Sequence, residues 1–534
     1  MERVKSMLSK NGYTAEKETE LGLIATKNSE RFLVANFMIS KNEEVIQEAE
    51  ILKEMCHPHI MDIQESLKDE DLNLYSVVLQ YCEGGSLTDK IKEKKLEEWE
   101  ALSWIVEVCM ALRAIHEKLL IHGDLTPQNI FITEFGKLYL GGFWKNKGSL
   151  KNTAAGTARN EAVNYQAPEV FLNTIYNTKS EIWSLGCILY ELCTQQQAFS
   201  AENTVSLISK ITSGSAPSLD DTYSAEFCDL LSDMLNEDPD CRPTANEILG
   251  WPITLTCLLR KSKTTVDYLQ DQLDKLKEVA NGLERVHTCT TIGSLTGGVI
   301  GAAGGITSIV GLALAPFTLG ASLVVTGIGV GVGVAGGVTA GVSNITKMVA
   351  QSADRKTVWG ILKEFSEKIN AVAFWLQEIN HNLENMTKSL PAQKLSDDNS
   401  SSNNIKTNAS AARIGKVLGG AAAVARYASV AKIGKMAAQV SRAVSVAKVA
   451  TGVLSGLFVA VDIFFIAMDA KEISNIRQAQ ADGETSSEIM KFILSIRNSA
   501  KELQEVLDEL KVTIKLINTE EAEKELEWEY ATSE

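Results

Sequence analysis

Residues 122–129 read HGDLTPQN. Downstream, in order, come GKLYLGGFW ending at Trp144, QAPE ending at Glu169, SEIWSLGCILYEL from Ser180, and DPDCRPTANEIL around Arg242. Each piece alone is a weak signal, and their order and spacing together decide the fold of the first half. Around them, the first 257 residues alternate short β-branched runs such as LYSVVLQY with amphipathic stretches such as EEWEALSWIVEVCMALRAIHE. That alternation predicts an α/β or α+β enzyme-type fold.

Taken together, these segments resemble the eukaryotic protein kinases, and AFSAENTVSLISKITSGSAP is similar to the NIMA-related serine/threonine kinases. The resemblance implies a two-lobed α+β domain over residues 1–257. By that resemblance Asp124 matches the catalytic-loop aspartate that accepts the substrate hydroxyl proton, and Asn129 the asparagine that holds a magnesium ion. Glu48, in EVIQEAEILKEMCHPHI, matches the glutamate of the small-lobe helix. Glu169 and Arg242 resemble the buried ion pair that ties the APE segment to the large lobe, a matter of architecture.

The phosphate-handling positions depart from the pattern. In ETELGLIATKNSER, where a G-x-G-x-x-G loop should cover the phosphates, only Gly22 remains. In RFLVANFMIS the position of the strand-3 lysine, which would pair with Glu48, is Ala35. Gly142, Phe143 and Trp144 stand where DFG should, HRD has become HGD at Gly123, and the loop lysine has become Thr126. Phosphoryl transfer depends on positioning and electrostatics, so losing charged clamps removes the means of catalysis. A pseudokinase is therefore expected, with Asp124 and Asn129 kept either as loop braces or as residual nucleotide or metal ligands. Lys27 and Lys41 are the candidate substitutes for the missing lysine, although a nearby lysine on such a surface is more often a solvated charge. His122 reads as a packing histidine, since no Cys or His stands at ligand spacing from it.

Lys plus Arg is 52 and Asp plus Glu is 68, a net charge of −16. That excludes a generally basic nucleic-acid-coating protein, and no nucleic-acid partner is expected. Hydrophobic residues at 45% and charged residues at 22% place the chain among folded proteins. The nine cysteines include no CxxC pair, which reads as reduced thiols. No apolar segment near Met1 suggests a secretory signal.

Beyond residue 257 the pattern changes. Leu269, Leu273, Leu276, Ala280 and Leu283 alternate steps of four and three, a heptad seam that makes 258–285 a connecting helix. From Val286 through Thr346 there is no Asp, Glu, Lys or Arg, and Pro316 divides the run. Each half is long enough as a helix to cross roughly 30 Å of hydrocarbon, so 286–346 is drawn as a helical hairpin. Gly293, Gly297, Gly301 and Gly305 stand four apart on one arm, and Gly329, Gly333, Gly337 and Gly341 on the other. Such stripes let helix backbones approach closely in lipid. The competing reading is a hairpin buried in a water-soluble bundle.

An amphipathic helix follows over 347–386, with Val358, Leu362, Phe365, Ile369, Val372, Leu376, Ile379 and Leu383 in 4-3 spacing, and then a polar linker over 387–410. Residues 411–534 hold a basic Ala/Gly-rich stretch, the apolar run VATGVLSGLFVAVDIFFIAM and a closing seam from Ile489 to Ile517. Asp462 inside the apolar run is either a group whose protonation admits the helix to lipid or an interfacial residue at a helix end. The heptad helices are expected to pack with one another, with homo-oligomerisation as the alternative.

GSLTGGVIGAAGGITSIVGLALAPFTLGASL, together with VLSGLFVAVDIFFIAMDAKEI and the closing heptad helix, resembles the apolipoprotein L family. The resemblance implies an all-α region, lipid binding, membrane association and, in some members, pH-dependent ion permeation. The joint expectation is a cytoplasmic protein associated with an intracellular membrane, whose kinase-like half recognises a protein partner, with secretion disfavoured. No cofactor is expected, save ATP and Mg if nucleotide binding persists. The alternatives are an active divergent serine/threonine kinase targeted to membranes, and a pH-dependent pore-forming or lipid-transport protein with a kinase-like cap.

Overall fold

The computed structural model describes residues 2–19, 22–28, 30–39, 43–143, 161–173, 175–213, 216–296, 340–389, 430–475 and 482–517. It divides into two compact units, the first built on Met1–Cys257 and the second beginning at Leu258.

The first unit opens with helix α1 (Glu2–Lys10) and strands β1 (Thr14–Thr19), β2 (Gly22–Lys27) and β3 (Glu30–Met38), followed by α2 (Glu43–Glu54), β4 (Ile63–Asp69) and β5 (Leu74–Gln80). The strands form one antiparallel sheet in the order β1-β2-β3-β5-β4. LYSVVLQ of β5 is covered on both faces, hence its mostly apolar sequence, and its one buried polar residue, Ser76, donates to Asn36 Oδ1. TAEKET of β1 lies at an edge, where charged side chains discourage further strand pairing.

Strand alternation assigns the two faces. On one, Leu23, Ala25, Val34, Leu67 and Val78 form a core with Val4, Met7 and Leu8 of α1 and with Tyr13. On the other lie Leu33, Ala35, Val77 and Leu79, with Ala35 paired to Val77 and Leu33 to Leu79. The α2 helix packs by that second face, burying Val45, Ala49 and Leu52, one stripe at helical spacing.

The helical lobe comprises α3 (Leu87–Glu93), α4 (Glu98–Glu117), the hairpin β6 (Ile130–Ile132) and β7 (Leu138–Leu140), then α5 (Pro168–Asn173), α6 (Thr178–Thr194), α7 (Thr204–Thr212), α8 (Ala225–Met234) and α9 (Ala245–Leu249). Asn177 caps α6, accepting from the Lys179 and Ser180 backbone N–H groups, and the helix ends on Gln195 in a left-handed conformation. The α4 and α6 helices are buried on most sides and pack on each other. A sheet lobe followed by a helical lobe is the α+β architecture expected.

The helix α10 (Pro252–Thr296) leads into the second unit, which continues with α11 (Ala340–Ser389), α12 (Val430–Asn475) and α13 (Asp482–Ile517). Neighbouring helices run antiparallel in a four-helix bundle. Between α10 and α11, Tyr268 bonds Glu364 and Lys261 lies over the Trp375 ring. Between α11 and α12, Asn370 meets Thr451 and Trp359 meets Asp462. Between α12 and α13, Arg442 pairs with Glu509 and Phe464 stacks on Phe492. Between α13 and α10, Gln504 bonds Gln270 and Arg497 grips Glu284.

Leu269, Leu273, Leu276 and Ala280 of α10, Leu362, Phe365, Ile369, Val372, Leu376 and Ile379 of α11, and Ile493, Ile496, Ala500, Leu503, Leu507, Leu510 and Ile514 of α13 are buried, so these stripes meet one another within one chain. A fourth seam on α12 runs through Val440, Ala443, Ala447, Ala450, Leu454, Leu457, Val461 and Phe464. Helix bounds differ from those expected: α10 runs past residue 285 to Thr296, and α11 starts at Ala340, before the uncharged run ends. Gly293 and Gly341 thus lie on these helices, whereas Gly297, Gly301, Gly305, Gly329, Gly333 and Gly337, the turn at Pro316 and most of the polar linker fall outside the described residues.

Candidate functional site

The catalytic-loop residues are positioned by the β6–β7 hairpin. Its register pairs Ile130 with Leu140, which sets Asn129 beside Gly141, and the Gly141 N–H donates to the Asn129 carbonyl at 2.9 Å. The Asn129 amide donates to the Asp124 carbonyl oxygen at 2.7 Å and to Asp124 Oδ2 at 2.9 Å. The structure therefore brings Asp124 and Asn129 together, with the asparagine bracing the aspartate.

Residue 142 is where the family pattern and this chain part. Gly142 adopts φ +75°, and a β-carbon there would stand 2.4 Å from Asn129 Oδ1. That buried Oδ1 has no hydrogen-bond partner among the described residues. Among the described residues no three His, Cys, Asp or Glu side chains converge as a metal site. One neutral carbonyl and one aspartate already engaged by an amide do not fit a magnesium bridging two phosphates, which needs several charged oxygen ligands.

Position 35 supplies a methyl group on the face that α2 covers, and Glu48 is half-buried on α2. Lys27 cannot take the missing role. It shares its face of β2 with Leu23 and Ala25, opposite to that of Ala35, and its ammonium lies 4.3 Å from the Tyr13 ring centroid and 3.4 Å from Glu65. Lys41 lies outside the described residues. Gly22 is retained for packing: its φ is +150°, and a β-carbon would come within 2.6 Å of the Val34 carbonyl oxygen.

One buried carboxylate supports the loop and a second ties together other parts of the helical lobe. Glu181, on α6, takes a hydrogen bond from His116 Nε2 at 2.6 Å and from the Gly123 N–H at 2.8 Å. Sequence reasoning passed over Glu181, although its place in SEIWSLG was the signal. Glu169 accepts both Arg242 terminal nitrogens at 2.8 Å, and Ser180 Oγ at 2.6 Å. Burial pushes the Glu169 carboxyl upward, but Arg242 and Ser180 outweigh it and hold the group below its ordinary range. His122 is fully buried, donates to the Gly141 carbonyl at 2.7 Å and packs on the Phe143 ring, as a packing histidine should.

In the second unit, Ala438–Phe464 of α12 is a span of 27 residues holding an 18-residue window of mean hydropathy 1.9, long and apolar enough to cross a membrane. Its seam faces the bundle, while Val449, Val459 and Ile463 are exposed. Asp462 is half-buried beside the seam, and Trp359 Nε1 donates to its Oδ1 at 3.3 Å.

A family model for the protein kinase domain matches residues 14–253, and one for apolipoprotein L matches residues 261–512. Serine/threonine-protein kinase Nek4 of Mus musculus is 36% identical over 258 residues, 46% of this chain and 32% of that protein. Nek1 of Mus musculus is 37% identical over 238 residues, covering 42% of this chain and 19% of its own. Nek11 of Homo sapiens is 33% identical over 258 residues, or 46% and 39% respectively. The chain thus spans less than half of each of these relatives.

Proposed function

We propose, from a chain whose N-terminal half is a protein kinase domain related to the Nek kinases and whose C-terminal half is an apolipoprotein L region, that it recruits a protein partner to an intracellular membrane without transferring phosphate. The observation that carries the first part is the contact at Gly142: the position that should bring a metal-binding carboxylate brings none, and Asn129 Oδ1 fills the space. Ala35 removes the phosphate-gripping cation as well. Each lost electrostatic contact of this kind costs roughly 10²–10³ in rate, so two reduce transfer to near background.

For the membrane part, support comes from the apolar span of α12 and from its outward Val449, Val459 and Ile463. At about 1.5 Å per residue the span reaches roughly 40 Å, enough for a bilayer's hydrocarbon. The same helix buries a seam in the bundle, so lipid entry requires α12 to exchange bundle contacts for lipid contacts.

An active kinase is the second reading. It is favoured by the side-by-side Asp124 and Asn129 and by relatives whose names are those of serine/threonine kinases. Incubating the purified chain with Mg-ATP and a protein substrate separates the two. Transfer absent in the parent supports the proposal, and transfer that Asp124→Asn abolishes overturns it. Flotation with liposomes from pH 5 to 7.5 tests the membrane part, and a chain that stays with the protein fraction throughout counts against it.

A further inference from the structure

Glu48 and Glu50 stand two residues apart on α2, so at 100° per residue they leave opposite flanks of the helix. The sheet order puts β4 outside β5, and the Glu50 flank meets both strands. Tyr75 of β5 donates its hydroxyl to Glu50 Oε1 at 2.6 Å, and Ser66 of β4 donates to the same oxygen at 3.2 Å. Lys53, one turn on, donates to Ser66 Oγ at 2.8 Å, closing a network of four side chains over three elements.

We propose that the Glu50–Tyr75 contact is a latch that anchors α2 to the sheet from the β4 side, where the strand-3 position offers only the Ala35 methyl. The apolar stripe of Val45, Ala49 and Leu52 holds α2 against the sheet but permits sliding and rotation, because such contacts are non-directional. The phenol–carboxylate bond is directional and charge-assisted, and its donor is carried on a buried ring. The two groups also perturb one another. Burial, then Glu50, pushes the Tyr75 phenol up to about 12, and the Tyr75 bond draws the Glu50 carboxyl below its usual value.

Through this latch α2 is held without any group bound in the cleft, so the small lobe keeps one surface whether or not nucleotide is present. The inference rests on the contacts themselves and stands equally if the domain proves active. Phosphate transfer and the latch are therefore tested separately.

Amide hydrogen exchange of residues 43–54 in the full chain is the test, read for the parent, Tyr75→Phe, Glu50→Gln and the double variant. Each single substitution should speed α2 exchange about tenfold, and the double should add little, since both remove one bond. Protection of residues 74–80 should match the parent and reports that the sheet has folded. Exchange within twofold of the parent in both singles overturns the latch, as does a double variant whose effect is the product of the two. Should Tyr75→Phe lose sheet protection, Ser66→Ala reads the same network: two- to threefold faster α2 exchange supports the latch, and parental exchange there and in Glu50→Gln overturns it.

Discussion

The side-chain oxygen of Asn129 lies 2.4 Å from the place a β-carbon on Gly142 would take, too close for both to stay. The asparagine matched by resemblance to a metal-holding residue and the glycine standing where the DFG motif has its aspartate thus compete for one space.

Restoring the aspartate alone should therefore fail. Gly142→Asp must tolerate φ +75° and push Asn129 aside, for a loss of about 1–3 kcal/mol, and should neither bind Mn²⁺ nor transfer phosphate. Thermal unfolding and Mn²⁺ paramagnetic resonance check it. A stable variant that binds Mn²⁺ would show that Asn129 yields its place readily.

Arg242→Ala leaves Glu169 charged and buried and should cost about 3–5 kcal/mol of the first unit's stability in urea unfolding. The pH dependence has a definite sign. The folded carboxyl is held below its ordinary range, so the stabilisation is present above the unfolded value of about 4.3 and is lost as pH falls through the folded one. Glu169→Gln should flatten that acid limb.

A second, milder pH effect comes from His57. Burial first, then the charges of His59, Arg113 and Lys137, lower its pKa from 6.5 to about 3. The folded state therefore binds fewer protons than the unfolded state below pH 6.5. Stability should fall by about 1.4 kcal/mol between pH 7.5 and 5.5, and less so in His57→Gln. Equal slopes for the two proteins in paired urea titrations would exclude this origin.

The α12 seam makes a contrast between neighbours. Leu457 is fully buried and Val459 exposed, so Leu457→Ala should cost about 2–5 kcal/mol of bundle stability and Val459→Ala under about 0.5. Denaturant unfolding followed on the helical unit separates them, and similar small losses at both would place α12 outside the bundle core.

Much of the chemistry could be read from residue identity. Ala35 and Gly142 are visible as missing charges wherever the motif order supplies the alignment, and the seams of α10, α11 and α13 show because polar residues separate their apolar positions. The seam of α12 was hidden. Five of its eight positions are alanine or valine among other small and apolar residues, so its 4-3 spacing has no contrast. Likewise Lys27 stays a candidate on paper, and only the register of β2 against β3 turns it to the opposite face.

Local period and residue type, then, determined the two-part α+β and all-α plan and the departures from the kinase motifs at Ala35 and Gly142, because both are properties of neighbours along the chain. The tertiary structure alone decided that Asn129 fills the space at Gly142, that Glu181 joins His116 to the catalytic loop, and that Glu50 reaches Tyr75. Those are meetings of residues far apart in sequence. Strand register, sheet order and helix packing bring them together, and no local pattern encodes them.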